Sequence, residues 1–212
     1  LMDYILRSSG FDSVHFNLDD WPIITDENFE SANFLKLESA QRVSYLEDLL
    51  ESGKIPVIGG YIGVTKQGLE TTFERGGSDR TAVDLAILLS DTYRVTVDFE
   101  KNEVVLSADP SIVRENLKPI RNLSYNEANL AGMFGMKIID PSAIRDIQEA
   151  ELSIPLLVTD IKNLSRVTHI LREAERGGGN PVKIVTGRKD CTILEMLKSK
   201  RDSLEDYLRN VR

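Results

Sequence analysis

The chain has 212 residues, a formal net charge of −8 and 41% hydrophobic residues. That is enough apolar material for one sizeable domain, or one plus part of another, and the acidic balance leaves no cationic surplus for nucleic-acid phosphates or an anionic membrane. The single cysteine, Cys191, excludes an internal disulfide, and no Cys/His cluster has metal-ligand spacing. No apolar run approaches the ~20 residues of a membrane span, and with no secretory leader in view a reducing cytoplasm is the expected compartment.

Residues 1–9 read as the end of a helix, and Gly10 suits a left-handed cap after it. Phe11–Leu18 alternates as a strand does, and residues 19–34 are polar and loop-like. Residues 38–52 place Val43, Leu46, Leu49 and Leu50 on one helical face, with Gly53 at the end. Ile55–Ile58 is a continuous apolar run, the pattern of a parallel strand buried on both faces. It leads into a glycine-rich turn, Gly59-Gly-Tyr-Ile-Gly63, and residues 66–72 are expected to form a short hairpin. A second glycine pair follows in Phe73-Glu-Arg-Gly-Gly-Ser-Asp79. From Arg80 onward, Ala82, Val83, Leu85, Ala86, Leu88 and Leu89 mark a buried helix.

Tyr93–Phe99 and Val104–Leu106 read as strands joined by a turn at 100–102. Helical patterns over 126–132 and 142–151 precede an apolar strand, Ile154–Val158. Residues 164–175 read as an amphipathic helix ended by Gly177-Gly-Gly179. His15, on a strand, and His169, on that helix, are assigned structural positions. After the triple glycine, Val182–Thr186 and Cys191–Met196 carry strand patterns and Ser203–Val211 a helical one.

Strands alternating with helices argue for an α/β domain with a mostly parallel sheet. Ligands of such sheets bind beyond the carboxyl ends of the strands, and the turn after Ile58 stands at such an end. Glycines let backbone N–H groups approach a ligand closely, and a helix start adds partial positive charge. Arg75, Ser78 and Asp79 beside that turn supply a guanidinium, a hydroxyl and a carboxylate, suited to a small ligand carrying both signs of charge. Taken alone, a glycine-rich turn is equally consistent with a plain strand-to-helix connection.

Four stretches, in this order and spacing, resemble the aspartate kinases of the amino-acid-kinase superfamily. They are Pro56-Val-Ile-Gly-Gly-Tyr-Ile-Gly63, Glu74-Arg-Gly-Gly-Ser-Asp-Arg-Thr-Ala82, Ser107-Ala-Asp-Pro110 and Met133-Phe-Gly-Met-Lys137, and the similarity covers roughly residues 1–160. The resemblance implies a three-layer α/β/α sandwich with a mostly parallel sheet. It implies transfer of the γ-phosphoryl of ATP, with Mg²⁺, to the side-chain carboxylate of L-aspartate, at the head of lysine, threonine and methionine synthesis. Such chemistry is mostly positioning and charge stabilisation.

By the same resemblance Arg75 grips a substrate carboxylate, Asp79 holds the substrate ammonium, Ser78 adds a hydroxyl contact and Tyr61 lines the pocket. Lys137 reaches the nucleotide phosphates, with Asp79 and Lys137 as the catalytic pair, and Asp109 and Asp98 stand beside the nucleotide. No protein side chain is assigned to a metal. Each residue also has a plainer reading: Ser78-Asp79 as a helix cap, Arg75 and Lys137 as solvated charges, Asp109-Pro110 as a turn. Paired or larger assemblies of identical subunits are implied, with no nucleic-acid or membrane partner. The family places a Lys-Phe-Gly-Gly-Thr-Ser-like segment upstream of the region matching Leu1, so the chain is expected to be part of a longer protein. The implied division is a kinase domain over 1–176, a glycine linker over 177–181 and the start of an ACT-like regulatory module over 182–212.

The departures from the family pattern collect on the nucleotide side. The Thr-Asp-x-Asp-Gly-like stretch falls on Glu100–Val104 counted back from Asp109, but its Thr-Asp pair falls on Asp98-Phe99 counted forward from Asp79. Leu106 stands where an aromatic often lies beside the base, and Ser111 where an arginine follows Asp-Pro. Asp140 and Ser142 replace the His and Arg of a His-Pro-Arg stretch. A second reading from another class therefore stands beside the enzyme: a kinase-like homologue that binds an amino acid and regulates a partner.

Overall fold

The computed structural model describes residues 1–173 and 182–187. Its elements run α1 (Met2–Ser8), β1 (Ser13–His15), a 3-10 turn (Leu18–Asp20), α2 (Lys36–Ala40), α3 (Ser44–Glu51), β2 (Ile55–Val57), β3 (Ile62–Val64), β4 (Glu70–Thr72) and α4 (Gly77–Leu89). They continue with β5 (Val97–Lys101), β6 (Asn122–Ser124), α5 (Tyr125–Met133), α6 (Pro141–Glu149), β7 (Leu156–Asp160) and β8 (Val167–Leu171). The α/β content is as expected. The pairing among the described residues is mixed, not mostly parallel: β1 pairs parallel with β2, β3 antiparallel with β4, and four strands stand in the order β5-β7-β8-β6. In that sheet β5 and β7 run parallel, as do β8 and β6, while β7 and β8 run antiparallel.

Helix α4 organises both hydrophobic cores. Its Val83, Ala86 and Ile87 pack with Phe99, Leu123, Ile144, Ile147 and Leu156, between the helices α5 and α6 and the four-stranded sheet. Its Leu88, with half-buried Leu85 and Leu89, packs on the other side with Phe16, Trp21, Ile23, Ile24, Leu46 and Phe73. A helix apolar on nearly every face is a buried helix, and burial of such side chains is worth about 1.5–3 kcal/mol each. The body of α4 is thereby held in one place from two directions.

The following helices have clear local causes. Ser124 caps α5, its hydroxyl accepting from the Glu127 amide while the Glu127 carboxylate accepts from the Ser124 amide, a capping box. Asp140 caps α6, with Pro141 at the first helical position. Tyr125 is fully buried and donates its hydroxyl to the Ile154 carbonyl; burial pushes the phenol up to about 12.

Several expectations need correction. The helix expected over 164–175 is not found at 164–173, the part within the described residues: 161–166 is a tight turn and Val167–Leu171 is strand β8, so His169 lies on a strand. Thr168 and Ile170 face inward and Val167, His169 and Leu171 are less buried, which is strand alternation. The turn is too short for a parallel crossover, so β8 returns antiparallel along β7. Val104–Leu106 is buried but irregular, bonding through Val105 O and Ser107 N to Ile120 N and Lys118 O, with one bridge, Leu106 to Pro119. β5 continues through Glu100 to Lys101, where a turn was expected.

Residues 38–52 form α2 and α3, broken at Gln41–Val43, because buried Ser39 accepts the Ile24 amide at 2.8 Å and ties α2 to the preceding loop. That loop, read as polar, buries Trp21, Ile23, Ile24 and Ala32. β2 is not buried on both faces: Ile55 is 38% exposed, since β2 pairs only with β1 among the described residues. The hairpin over 66–72 is present as the turn joining β3 to β4. Val182–Thr186 makes a single bridge, Val185 to Ala108. The glycine linker, Cys191–Met196 and Ser203–Val211 lie outside the described residues. Among those that are described, no helix is long and apolar enough to cross a membrane.

Candidate active site

The site is built on the first turn of α4. Gly76 precedes the helix in a left-handed conformation, φ +98, which glycine adopts at no steric cost. The space is also closed to any side chain: a Cβ on Gly76 would collide with the Asp140 carboxylate, and one on Gly77 would stand 2.5 Å from Phe73 Cβ. Asp79 falls in the helix's first turn, and neither it nor Ser78 caps the helix. Instead Asp79 Oδ2 accepts from the Lys101 ammonium at 3.1 Å and from the Asp140 amide at 3.2 Å. One carboxylate oxygen thus joins the start of α4, the end of β5 and the start of α6.

Arg75, Asp79, Asp109 and Lys137 line one cavity of about 870 Å³, together with Lys101, Asp140 and the stretch Gly135–Ile139. Arg75 and Lys137 are exposed and make no hydrogen bond or ion pair among the described residues. Arg75 also borders a polar hollow of about 370 Å³ with Ser31, Asn33, Arg80 and Arg145. Asp109 closes a turn, its Oδ1 accepting from the Ser111 amide at 2.8 Å, and Asp140 Oδ1 accepts from the Ser142 amide at 2.8 Å. The cavity therefore holds the cations of Arg75, Lys101 and Lys137 against the carboxylates of Asp79, Asp109 and Asp140. An adjoining hollow of about 410 Å³ shares Lys101, Asp109 and Lys137 and has apolar walls of Val104, Val105, Leu106, Pro110 and Val158.

The other expected residues stand apart from the main cavity. Tyr61 has φ +81 and is 42% exposed, with its amide on the Thr81 hydroxyl at 3.0 Å and its ring edge against Gly77. A non-glycine residue there costs about 1–3 kcal/mol, held by its surroundings. Ser78 is exposed and packs beside Gly60. Asp98 lies on the exposed face of β5 and accepts the Thr159 hydroxyl at 2.7 Å, so it does not reach the cavity. Lys101 was missed, although the alternation that makes Val97 and Phe99 inward-facing puts Lys101 on the same face. Its ammonium lies 5.6 Å from the Phe99 ring centroid.

Behind the site, between α4 and α6, sits a buried charge cluster. Arg80 pairs with Asp146 at 2.8 Å, donates to the Ala32 carbonyl at 3.1 Å and stacks over Phe73. Asp84 is fully buried and neither carboxylate oxygen has a hydrogen-bond partner. Burial, then repulsion from Asp146, pushes the Asp84 carboxyl well above the usual carboxylate range, with Arg80 opposing. Burial also raises Asp146. Among the described residues, no group of three or more His, Cys, Asp or Glu side chains could hold a metal ion.

The chain is similar to known proteins in sequence and in fold. The family model described as the amino acid kinase family matches residues 1–160. The aspartokinase of Rickettsia felis is 30% identical over 159 residues, covering 75% of this chain and 38% of that protein. Aspartokinase 2 of Bacillus subtilis is 31% identical over 145 residues, covering 68% of this chain and 34% of that one. The crystal structure of E. coli aspartokinase III in complex with aspartate and ADP superposes with a TM-score of 0.72 at 24% identity, over 82% of this chain and 38% of that chain. The chain spans less than two-fifths of the length of these relatives. With the family model covering three-quarters of its length, the chain belongs to the amino acid kinase family.

Proposed function

We propose that the protein, at its full length, is an aspartate kinase that moves the γ-phosphoryl of ATP onto the side-chain carboxylate of L-aspartate. The observation that carries this reading is a free guanidinium, Arg75, and a carboxylate, Asp79, facing one cavity that also holds Lys137. An amino acid with two carboxylates and one ammonium needs both signs of charge, and the transferring phosphoryl needs a cation beside it. The relatives named above are aspartokinases, and one is in complex with aspartate and ADP. Nothing in the comparisons favours the regulatory alternative.

In this reading Arg75 takes a substrate carboxylate and Asp79 the ammonium, with Tyr61 and Ser78 bordering the amino acid from the glycine turns. Lys137 takes the nucleotide phosphates beside Asp109, and the apolar hollow at Val104–Leu106 takes the base. Asp98 is dropped from the nucleotide contacts because it faces away. Mg²⁺ would come with the nucleotide and neutralise phosphate charge, and Asp109, the carboxylate that borders both hollows beside Lys137, would be the side chain nearest to it. The division into a kinase domain over 1–176, a linker over 177–181 and a regulatory start over 182–212 goes with this reading, as do paired subunits and a cytoplasmic setting.

The test is a coupled ADP-release assay on the full-length protein with ATP, Mg²⁺ and a panel of aspartate, glutamate, carbamate and a nucleoside monophosphate, with the aspartate product trapped as an acyl phosphate. Turnover with aspartate and at least about tenfold less with each other acceptor is expected. Phosphorylation of another acceptor, or of none, would overturn the assignment.

A further inference from the structure

The Lys101–Asp79 pair sits where the proposed reaction needs Asp79 to be open. Lys101 Nζ lies 3.1 Å from the same Asp79 oxygen that the Asp140 amide contacts at 3.2 Å. The side chains are 31% and 24% exposed, so the pair lies at the cavity's border with solvent. The Lys101 backbone is fixed, being the last residue of β5 and accepting the Ile161 amide at 2.9 Å. Its side chain is not: a lysine is a compact charge on a flexible four-carbon stem. Lys101 also borders both the 870 Å³ cavity and the 410 Å³ apolar hollow, with Lys137 and Asp109 common to the two.

We infer that Lys101 is a two-position cation: it occupies Asp79 while the site is empty and moves to the nucleotide phosphates when they arrive, freeing Asp79 for the ammonium of the amino acid. The inference rests on the kinase reading above and adds an order to it. Two ammonium groups on one carboxylate repel each other even when each takes its own oxygen, so Lys101 on Oδ2 weakens the hold of Asp79 on the substrate ammonium. Phosphates placed between the two hollows offer Lys101 more negative charge than one carboxylate does. Nucleotide binding then lowers the cost of admitting the amino acid, and by linkage the amino acid strengthens nucleotide binding by the same factor. The pair is partly solvated, so the coupling is a modest one, about three- to tenfold.

The test is calorimetric titration of L-aspartate into the full-length protein, with and without a non-hydrolysable ATP analogue and Mg²⁺. Wild type, Lys101→Met and Lys101→Arg are compared, with thermal melts confirming that each is folded. Wild type is expected to bind aspartate about three- to tenfold more tightly when the analogue is present. Lys101→Met is expected to bind aspartate alone as tightly as analogue-loaded wild type, to lose the coupling, and to turn over roughly 100-fold more slowly. Lys101→Arg is expected to retain the coupling. Coupling that survives in Lys101→Met, or weaker binding of aspartate alone by that variant, would overturn the inference and leave the kinase reading standing. Wild type that binds neither ligand would remove the kinase reading and this inference with it.

Discussion

The two walls of the main cavity are built in opposite ways. On one side, Gly76, Gly77 and the first turn of α4 have no slack, with Asp140 and Phe73 filling the space any side chain would need. On the other, the stretch from Glu103 to Pro119 contains no helix or strand. A few backbone bonds, including Ser107 N to Lys118 O and Val185 N to Ser107 O, hold it, and Ile112 at its tip is 49% exposed. A group that must meet the substrate within tenths of an ångström needs supports that are themselves locked. A nucleotide brings its own charges and shape, and a loosely held segment can settle around it. The departures over Glu100–Val104 run into this irregular wall and those at Leu106 and Ser111 lie within it, while those at Asp140 and Ser142 stand at the start of α6, on the tight one.

The contrast is broken most forcefully from behind the tight wall. Arg80→Met leaves Asp84 and Asp146 buried between α4 and α6 with no cation. A loss of about 3–5 kcal/mol is expected, measured by chemical denaturation. Gly76→Ala comes next, because it sets a methyl group into Asp140 at a left-handed φ. Stability should fall by about 2–4 kcal/mol, and turnover with it, since the Asp140 amide helps hold Asp79. Ser111→Gly on the opposite wall should change stability by less than about 0.5 kcal/mol in the same denaturation series; comparable losses from the two would show the walls to be alike.

A fourth substitution sharpens the picture with pH. The folded Asp84 carboxyl holds its proton more tightly than the unfolded one, so the folded state binds more protons from about pH 4 upward to its raised value. Stability therefore falls as pH rises through that window, and Asp146, also raised, adds in the same direction. Asp84→Leu should be more stable than wild type at pH 7 by about 1–3 kcal/mol, with the difference shrinking toward pH 4. A difference that grows as the pH falls would contradict this. The smallest effect concerns Asp98→Asn, which faces away from the cavity: nucleotide affinity should change by less than about twofold, and a tenfold loss would put Asp98 in the site after all.

That Arg75 and Asp79 face one cavity was legible because they lie within one short stretch, Glu74 to Asp79, whose glycines, guanidinium and carboxylate have few other uses together, whereas Tyr61 and Ser78 from the same reading stand outside that cavity. Lys137 and Asp109 were legible from local motifs in the same way. Lys101 was not, because reading 100–102 as a turn broke the alternation that assigns its face. β8 was misread for a related reason. Leu164, Val167 and Leu171 fit a helical period, while the β-branched run Val167-Thr168 and the burial of Ile170 make sense only beside β7, a partner that no local window contains. The buried Thr168 hydroxyl, donating to Ile120 O and accepting from Val105 N, reflects the same long-range placement.

The sharing of α4 by both cores has a consequence for how the molecule comes apart. Neither half can loosen by itself, because freeing Phe16, Trp21 and Ile24 uncovers Leu88, and freeing Phe99 and Ile144 uncovers Val83 and Ile87. The middle of this helix therefore belongs to the last cooperative unit to melt. A ligand gripped at its first turn is felt by the whole fold at once, so occupancy of the site and survival of the native state are a single equilibrium.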